Sequence, residues 1–139
     1  MIILDTNVIS ELMKSNPDSR VVNWVGSQHP ASLFITSITK AEILYGLLLM
    51  PDGQRKSRLV EAAKEMFSTD FGGRILPFDH HASEEWSDIV ASRKLSGQTI
   101  SHFDAQIAAI ARSRGAQVAT RNTSDFSNCK VSIFNPWKE

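Results

Sequence analysis

Asp5 stands where the apolar run MIIL stops and a second apolar element, marked by Val8, Ile9 and Leu12, begins. Glu42 falls in the first turns of a helix that follows the apolar segment LFITSI. Asp104 lies near the start of another helix, HFDAQIAAIA, where its neighbours at helical spacing include Ala108 and Ala111. Asn122 and Thr123 follow the short apolar segment QVAT. Each has an ordinary explanation on its own. Asp5 or Thr6 suits a helix cap, Glu42 an acid favoured by the helix dipole, Asp104 an ion-paired buried acid and Asn122 a turn. Taken together they point to one edge, and converging carboxylates repel and are costly to leave unpaired in a cleft. A hard divalent cation removes that conflict. Mg²⁺ and Mn²⁺ take oxygen ligands, and Mg²⁺ keeps several of its waters. Such an ion binds a phosphate oxygen, lowers the pKa of a bound water and neutralises a leaving group, which is the chemistry of phosphodiester hydrolysis. No His-rich or Cys-rich spacing indicates zinc. His80 and His81 are adjacent and share no ligand face, so they read as a loop or a helix start. No GxxxxGK[ST] or GxGxxG stretch supports a nucleotide cofactor.

The elements that must position these groups alternate between strand and helix. Short β-branched or apolar runs predict strands at 2–4, 33–38 (LFITSI), 74–78 (RILPF), 117–120 (QVAT) and 131–134 (VSIF). Helical spacing covers 7–13, 21–25, 39–50, 54–71, 82–95 and 101–113. Leu95 and Phe103 are expected to face inward, and the stripe Ile43, Leu44, Leu47, Leu48 and Met50 to face the core by default. Turns fall at PDG and SGQ, GG at 72–73 stops one helix, and Gly115 stops another. Alternation of this kind predicts an α/β domain with a mainly parallel central sheet of about five strands and helices on both faces. In such sheets ligands bind beyond the carboxyl ends of the strands, which is where Asp5 lies.

Composition sets bounds on the partners. The 139 residues suit one domain, 1–139, and 42% hydrophobic residues suffice for a core. Lys+Arg 15 against Asp+Glu 15 excludes a protein that coats nucleic acid by bulk charge, but leaves room for a local basic rim. Cys129 is the single cysteine, so no internal disulfide forms and a reducing cytoplasm is expected. The longest apolar stretch, ILYGLLLM, is far short of a membrane span, and the N-terminus reads as a strand rather than a signal peptide.

Four ordered stretches carry a family resemblance that covers essentially the whole chain. ILDTNVISEL, ITKAEILYG, FDAQIAAIARSRG and VATRNTSDF resemble the motifs of PIN-domain ribonucleases, and within them those of VapC-type toxins of type II toxin–antitoxin modules. RILPFD and the ending VSIFNPW resemble the FitB-like branch. The resemblance implies a three-layer PIN-like α/β/α fold. It implies that Asp5 and Asp104 hold one or two Mg²⁺ or Mn²⁺ ions directly, with Glu42 binding directly or through water, and that Thr6 and Thr120 position the acids or the substrate. The implied activity is cleavage of tRNA or ribosomal RNA. The implied assembly is a homodimer, and a heterotetramer or larger with a cognate VapB/FitA-like antitoxin that inserts a C-terminal segment into the acidic cleft and carries operator DNA. Some family members carry a fourth acid where this chain has Asn122, which leaves three acids here and weakens the case for a tightly held second metal.

RNA binding by a neutral chain needs local cations. Arg112, Arg114 and Arg121 are expected near the active edge, whereas Arg55, Lys56 and Arg58 read as a solvated helix face. Trp86 reads as core and Trp137 as an anchor for the chain's end. Two rival readings stay open. One is a phosphotransferase with Asp5 as nucleophile, although the position two residues on, an acid in haloacid-dehalogenase-type enzymes, is Asn7. The other is a non-catalytic PIN-fold binding module.

Overall fold

The computed structural model describes residues 1–138. β1 (Ile2–Leu4) is β-branched and apolar, and lies at the centre of a five-stranded sheet. β2 (Leu33–Thr36) and β3 (Ile75–Leu76) flank it on one side, β4 (Gln117–Ala119) and β5 (Ile133–Phe134) on the other, and every pair is parallel. Ile3 pairs with Phe34 and Val118, and Leu4 with Ala119. This register brings the carboxyl ends of β1, β2 and β4 to one edge, so the residues that follow them emerge together.

Side chains alternate across the strands and divide the core in two. Leu4, Leu33, Ile35 and Ala119 pack with residues of α1 (Thr6–Leu12), α2 (Ser19–Ser27), α3 (Ser37–Leu49) and α4 (Gln54–Glu65). Ile3 and Val118 face the other way, onto α5 (His80–Leu95) and α6 (His102–Ser113). Helices therefore cover both faces, giving the three layers expected.

The strands are shorter than their apolar runs because their ends serve as caps. Thr36 ends β2 early, since its hydroxyl accepts from Thr39 N at 3.1 Å and starts α3 at Ser37. β3 keeps two residues of RILPF, as Pro77 brings no amide to the ladder. Asp79 caps α5 through Ala82 N, which places His80 and His81 in its first turn. The helix expected over 54–71 is regular only to Glu65 and then widens into a π turn over Met66–Asp70. Gly72 closes that turn; a Cβ there would meet Ser68 O at 2.6 Å, so no other residue fits. Gly115 takes φ +63 and stops α6 as expected.

Some apolar residues point to solvent, contrary to the sequence reading. Leu95, in the last turn of α5, is 89% exposed, and Phe103, in the first turn of α6 before its buried run starts at Ala105, is 54% exposed. Of the apolar residues on α3 only Ile43 and Leu47 are buried; Leu44, Tyr45, Leu48 and Leu49 form an exposed apolar face. Among the described residues no helix is long and apolar enough to cross a membrane.

Arg93 is buried on α5 without a carboxylate partner among the described residues. It donates to the carbonyls of Thr99 (2.7 Å), Ser127 (2.6 Å) and Asp125 (3.2 Å), and so ties α5 to the segments either side of the α6–β4 unit. Methionine fills the same space but leaves three part-buried carbonyls without this donor. Arg93→Met is expected to lower stability by about 3 kcal/mol, read as a drop in Tm; a Tm equal to that of the parent would show that water replaces the arginine.

Candidate active site

Asp5 follows β1 and caps α1, its Oδ1 accepting from Thr6 N at 2.8 Å. Its Oδ2 accepts from the hydroxyl of Thr120 (2.7 Å), the residue after β4, and from Asn7 Nδ2 (3.4 Å). The cap explanation and the cleft explanation both hold for this residue. Thr120 is buried and fully engaged, as its hydroxyl also accepts from Asn7 Nδ2 (3.2 Å) and Asn122 N (3.1 Å). Asn7 Oδ1 accepts from Arg121 N (3.3 Å), so Asn7 joins the first helix to the loop after β4.

Glu42 sits in the second turn of α3, where its Oε1 accepts from the Thr6 hydroxyl at 2.7 Å. Thr6 thereby spends its proton, so the Thr39 hydroxyl, 3.0 Å away, donates to Thr6. Asp104 lies in the first turn of α6, whose cap Ser101 accepts from Asp104 N at 3.1 Å. Ala108 and Ala111 beneath it are fully buried. Asp5, Glu42, Asp104 and Asn122 line one cleft, together with Thr6, Asn7 and Arg121.

The electrostatics of the cleft are unbalanced. Burial pushes the Asp5 carboxyl up to about 6, against the Thr120 and Thr6 hydrogen bonds that favour its charge, and Asp104 and Glu42 push it further. Glu42 is raised by burial and then by Asp104, against the bond from Thr6. Asp104 is raised by burial and by Asp125, while Ser101 and the buried Arg93 lower it. Among the described residues none of the three is in an ion pair. A fourth carboxylate of the cleft, Glu11, behaves differently: Asp18 N and Lys14 hold it, and its carboxyl is lowered.

This donor set fits a hard divalent cation: three oxygen-donor acids, uncompensated and mutually repelling. Three of the four lone-pair positions of Asp5 are taken by hydrogen bonds, which leaves one on Oδ1. Among the described residues no three His, Cys, Asp or Glu side chains stand close enough to enclose an ion by themselves. A cation here would draw on fewer carboxylates than the three expected, and on water.

The basic candidates separate. Arg121 lines the cleft. Arg112 does not: it lies eight residues, about 12 Å of helix, beyond Asp104, and pairs with Glu85 at 2.7 Å and with Asp88. Arg114 caps the same far end of α6, near the amino ends of β1 and β4, with Asp79 3.9 Å away. Helix length carries both away from the active edge. Arg55 and Arg58 instead line a groove of about 990 Å³ that runs from Thr6 and Glu42 between α1, α3 and α4. Sequence reasoning missed Asn7, Thr39, Glu11 and Lys14; the TxxT spacing of Thr36 and Thr39 was the one local signal.

The family model described as PIN domain matches residues 2–130. The VapC ribonuclease Y4jK of Sinorhizobium fredii is 43% identical over 138 residues, 99% of each chain. Toxin FitB of Neisseria gonorrhoeae is 39% identical over 139 residues, the whole of both chains. In the structure of FitAB bound to the IR36 DNA fragment, the matching chain superposes with a TM-score of 0.94 at 39% identity, covering 100% of this chain and 97% of that one.

Proposed function

Since the chain belongs to the PIN-domain family, we propose that it is the toxin of a type II toxin–antitoxin pair and acts as a divalent-metal-dependent ribonuclease. The observation that carries this reading is the cleft itself, where Asp5, Glu42 and Asp104 share a lining and none of them has an ion-pair partner among the described residues. Relatives named as a VapC ribonuclease and a FitB toxin support it.

Asp5, Asp104 and Glu42 would hold the ion, Glu42 through water. The bound cation supplies an activated water and charge neutralisation at the scissile phosphate. The chain's own residues do the rest. Thr120 and Thr6 N fix the Asp5 carboxylate, and the Thr6 hydroxyl fixes Glu42. Asn122, exposed on the cleft wall, offers an amide to a phosphate or to bound water. Asn122→Asp is expected to tighten divalent-ion binding about tenfold in titration calorimetry; an unchanged affinity would place residue 122 outside the ion's surroundings.

The substrate class is tRNA or ribosomal RNA, in the cytoplasm. The partner is a VapB/FitA-like antitoxin that brings operator DNA, a reading supported by the structure of FitAB bound to the IR36 DNA fragment, and the toxin forms a homodimer within a heterotetramer or larger. Nucleophilic attack by Asp5 fits less well, since the side chain is 4% exposed and both its oxygens accept hydrogen bonds.

The test is cleavage of total tRNA by antitoxin-free protein with Mg²⁺, with Mn²⁺ and with chelator. Discrete fragments that vanish with chelator are expected. If tRNA and then ribosomal RNA both stay intact, the chain is a non-catalytic binding module.

A further inference from the structure

Arg121 brings to the cleft a cation that no partner among the described residues consumes. Among the described residues its guanidinium is in no ion pair and makes no hydrogen bond. Asp18, near enough to feel its charge, is taken by Arg20 through contacts of 3.1 and 2.8 Å. Lys14, the other cation lining the cleft, is tied to Glu11 at 3.0 Å. Arg121 is nevertheless held at two points. Its backbone N donates to Asn7 Oδ1, and its guanidinium lies 5.3 Å from the ring centroid of Trp137.

Trp137 makes a fixed platform. It is 4% exposed, packs in the core cluster that contains Leu4 and Ala119, and its N donates to Asn135 Oδ1 at 2.9 Å. Nearby, Trp24 stacks on Phe134 at 5.0 Å and steadies the segment that leads to it. Stacking occupies the face of a guanidinium and leaves its N–H edge for an anion. Three uncompensated acids would repel an approaching polyanion and would draw a loose arginine into the cleft; the ring resists that collapse.

Resting on the ribonuclease reading, we propose that Arg121 binds a phosphate of single-stranded RNA next to the scissile bond, and that Trp137 is the positioning residue that holds the guanidinium at the cleft mouth.

The test pairs steady-state cleavage with binding of a short fluorescein-labelled single-stranded RNA across a salt series, in chelator. Arg121→Gln is expected to raise KM about tenfold with a far smaller effect on kcat, and to make the slope of log K against log salt shallower by about 0.7, one single-strand phosphate contact. Trp137→Leu keeps the charge, so its slope stays as in the parent while KM rises about threefold, and Trp137→Phe restores KM by restoring a ring. Should Trp137→Leu fail to fold, Arg121→Lys decides: it keeps the slope but loses the fork and the stack, and a KM equal to the parent's overturns the proposal. An unchanged KM and slope in Arg121→Gln also overturns it, as does a Trp137→Leu protein that melts earlier with KM unaltered, for then the pair only pins the chain's end. Parent protein that cleaves RNA while every variant matches it defeats this inference alone; parent protein that neither binds nor cleaves RNA defeats the ribonuclease reading with it.

Discussion

Asp104→Asn abolishes RNA cleavage, with kcat/KM expected to fall at least about a thousandfold, as for removal of a group that acts with a catalytic ion. Asp104 is the most informative of the three acids to change. An Asp5 variant would also disturb Thr120, Asn7 and Thr6, which bond to that carboxylate. Asp104 touches less of the scaffold: its hydrogen-bonding neighbour is Ser101, the cap of its own helix. Burial already disfavours its charge, so an amide of the same shape relieves repulsion with Asp5 and Glu42. The Tm of the chelated variant at pH 7.5 should therefore equal or exceed that of the parent. Cleavage within threefold of the parent would remove Asp104 from the machinery, and lost cleavage with a lower Tm would make its role structural.

Chelated protein should become more stable as pH falls from 7.5 towards 5, against the usual course of acid destabilisation. Asp5 has a folded-state pKa of about 6, above its ordinary 3.8. Its ionisation opposes folding fully above about pH 6, and the opposition fades as pH falls towards 4. At 1.36 kcal/mol per pH unit the penalty is about 3 kcal/mol at neutral pH, and Glu42 and Asp104 act in the same direction. Asp18, Glu11, Asp79 and Asp88 are shifted down; their contribution persists to about pH 4 and is lost only below it. Between pH 7.5 and 5 the raised acids decide, and Tm should climb by about 5 °C. Mg²⁺ replaces the proton as counter-charge, so it should raise Tm strongly at pH 7.5 and little at pH 5. A Mg²⁺ effect independent of pH would show that the ion binds away from these carboxylates.

The sequence made Asp5 and Asp104 legible because each breaks a local rule, one a carboxylate at the end of a buried strand and the other above two buried alanines, whereas Glu42 is an ordinary helix-start acid that stands out only beside them. Parallel topology follows from the same alternation, since right-handed crossovers leave few other ways to bury both faces. Three things were not legible. Strand ends were overrun, because Thr36 looks like a continuation until its cap is seen and Pro77 ends β3 two residues early. Arg112 and Arg114 were placed by proximity in sequence to Asp104, when rise along α6 takes them to the far end. Asn7 and Thr39 act through bonds to residues 113 and 33 positions distant, and no spacing rule reaches that far.

Those long spans order events in time. β1 leaves the ribosome first, yet β4, which completes its pairing, is among the last elements made. Until residue 120 has emerged, Asp5 lacks Thr120, and Asp104 arrives only shortly before it. Until then a growing chain lacks part of the candidate site. Severing the exposed loop over 96–100 would divide Asp5 and Glu42 from Asp104 and Thr120. The activity would then reside in neither half and would return only when the two halves meet.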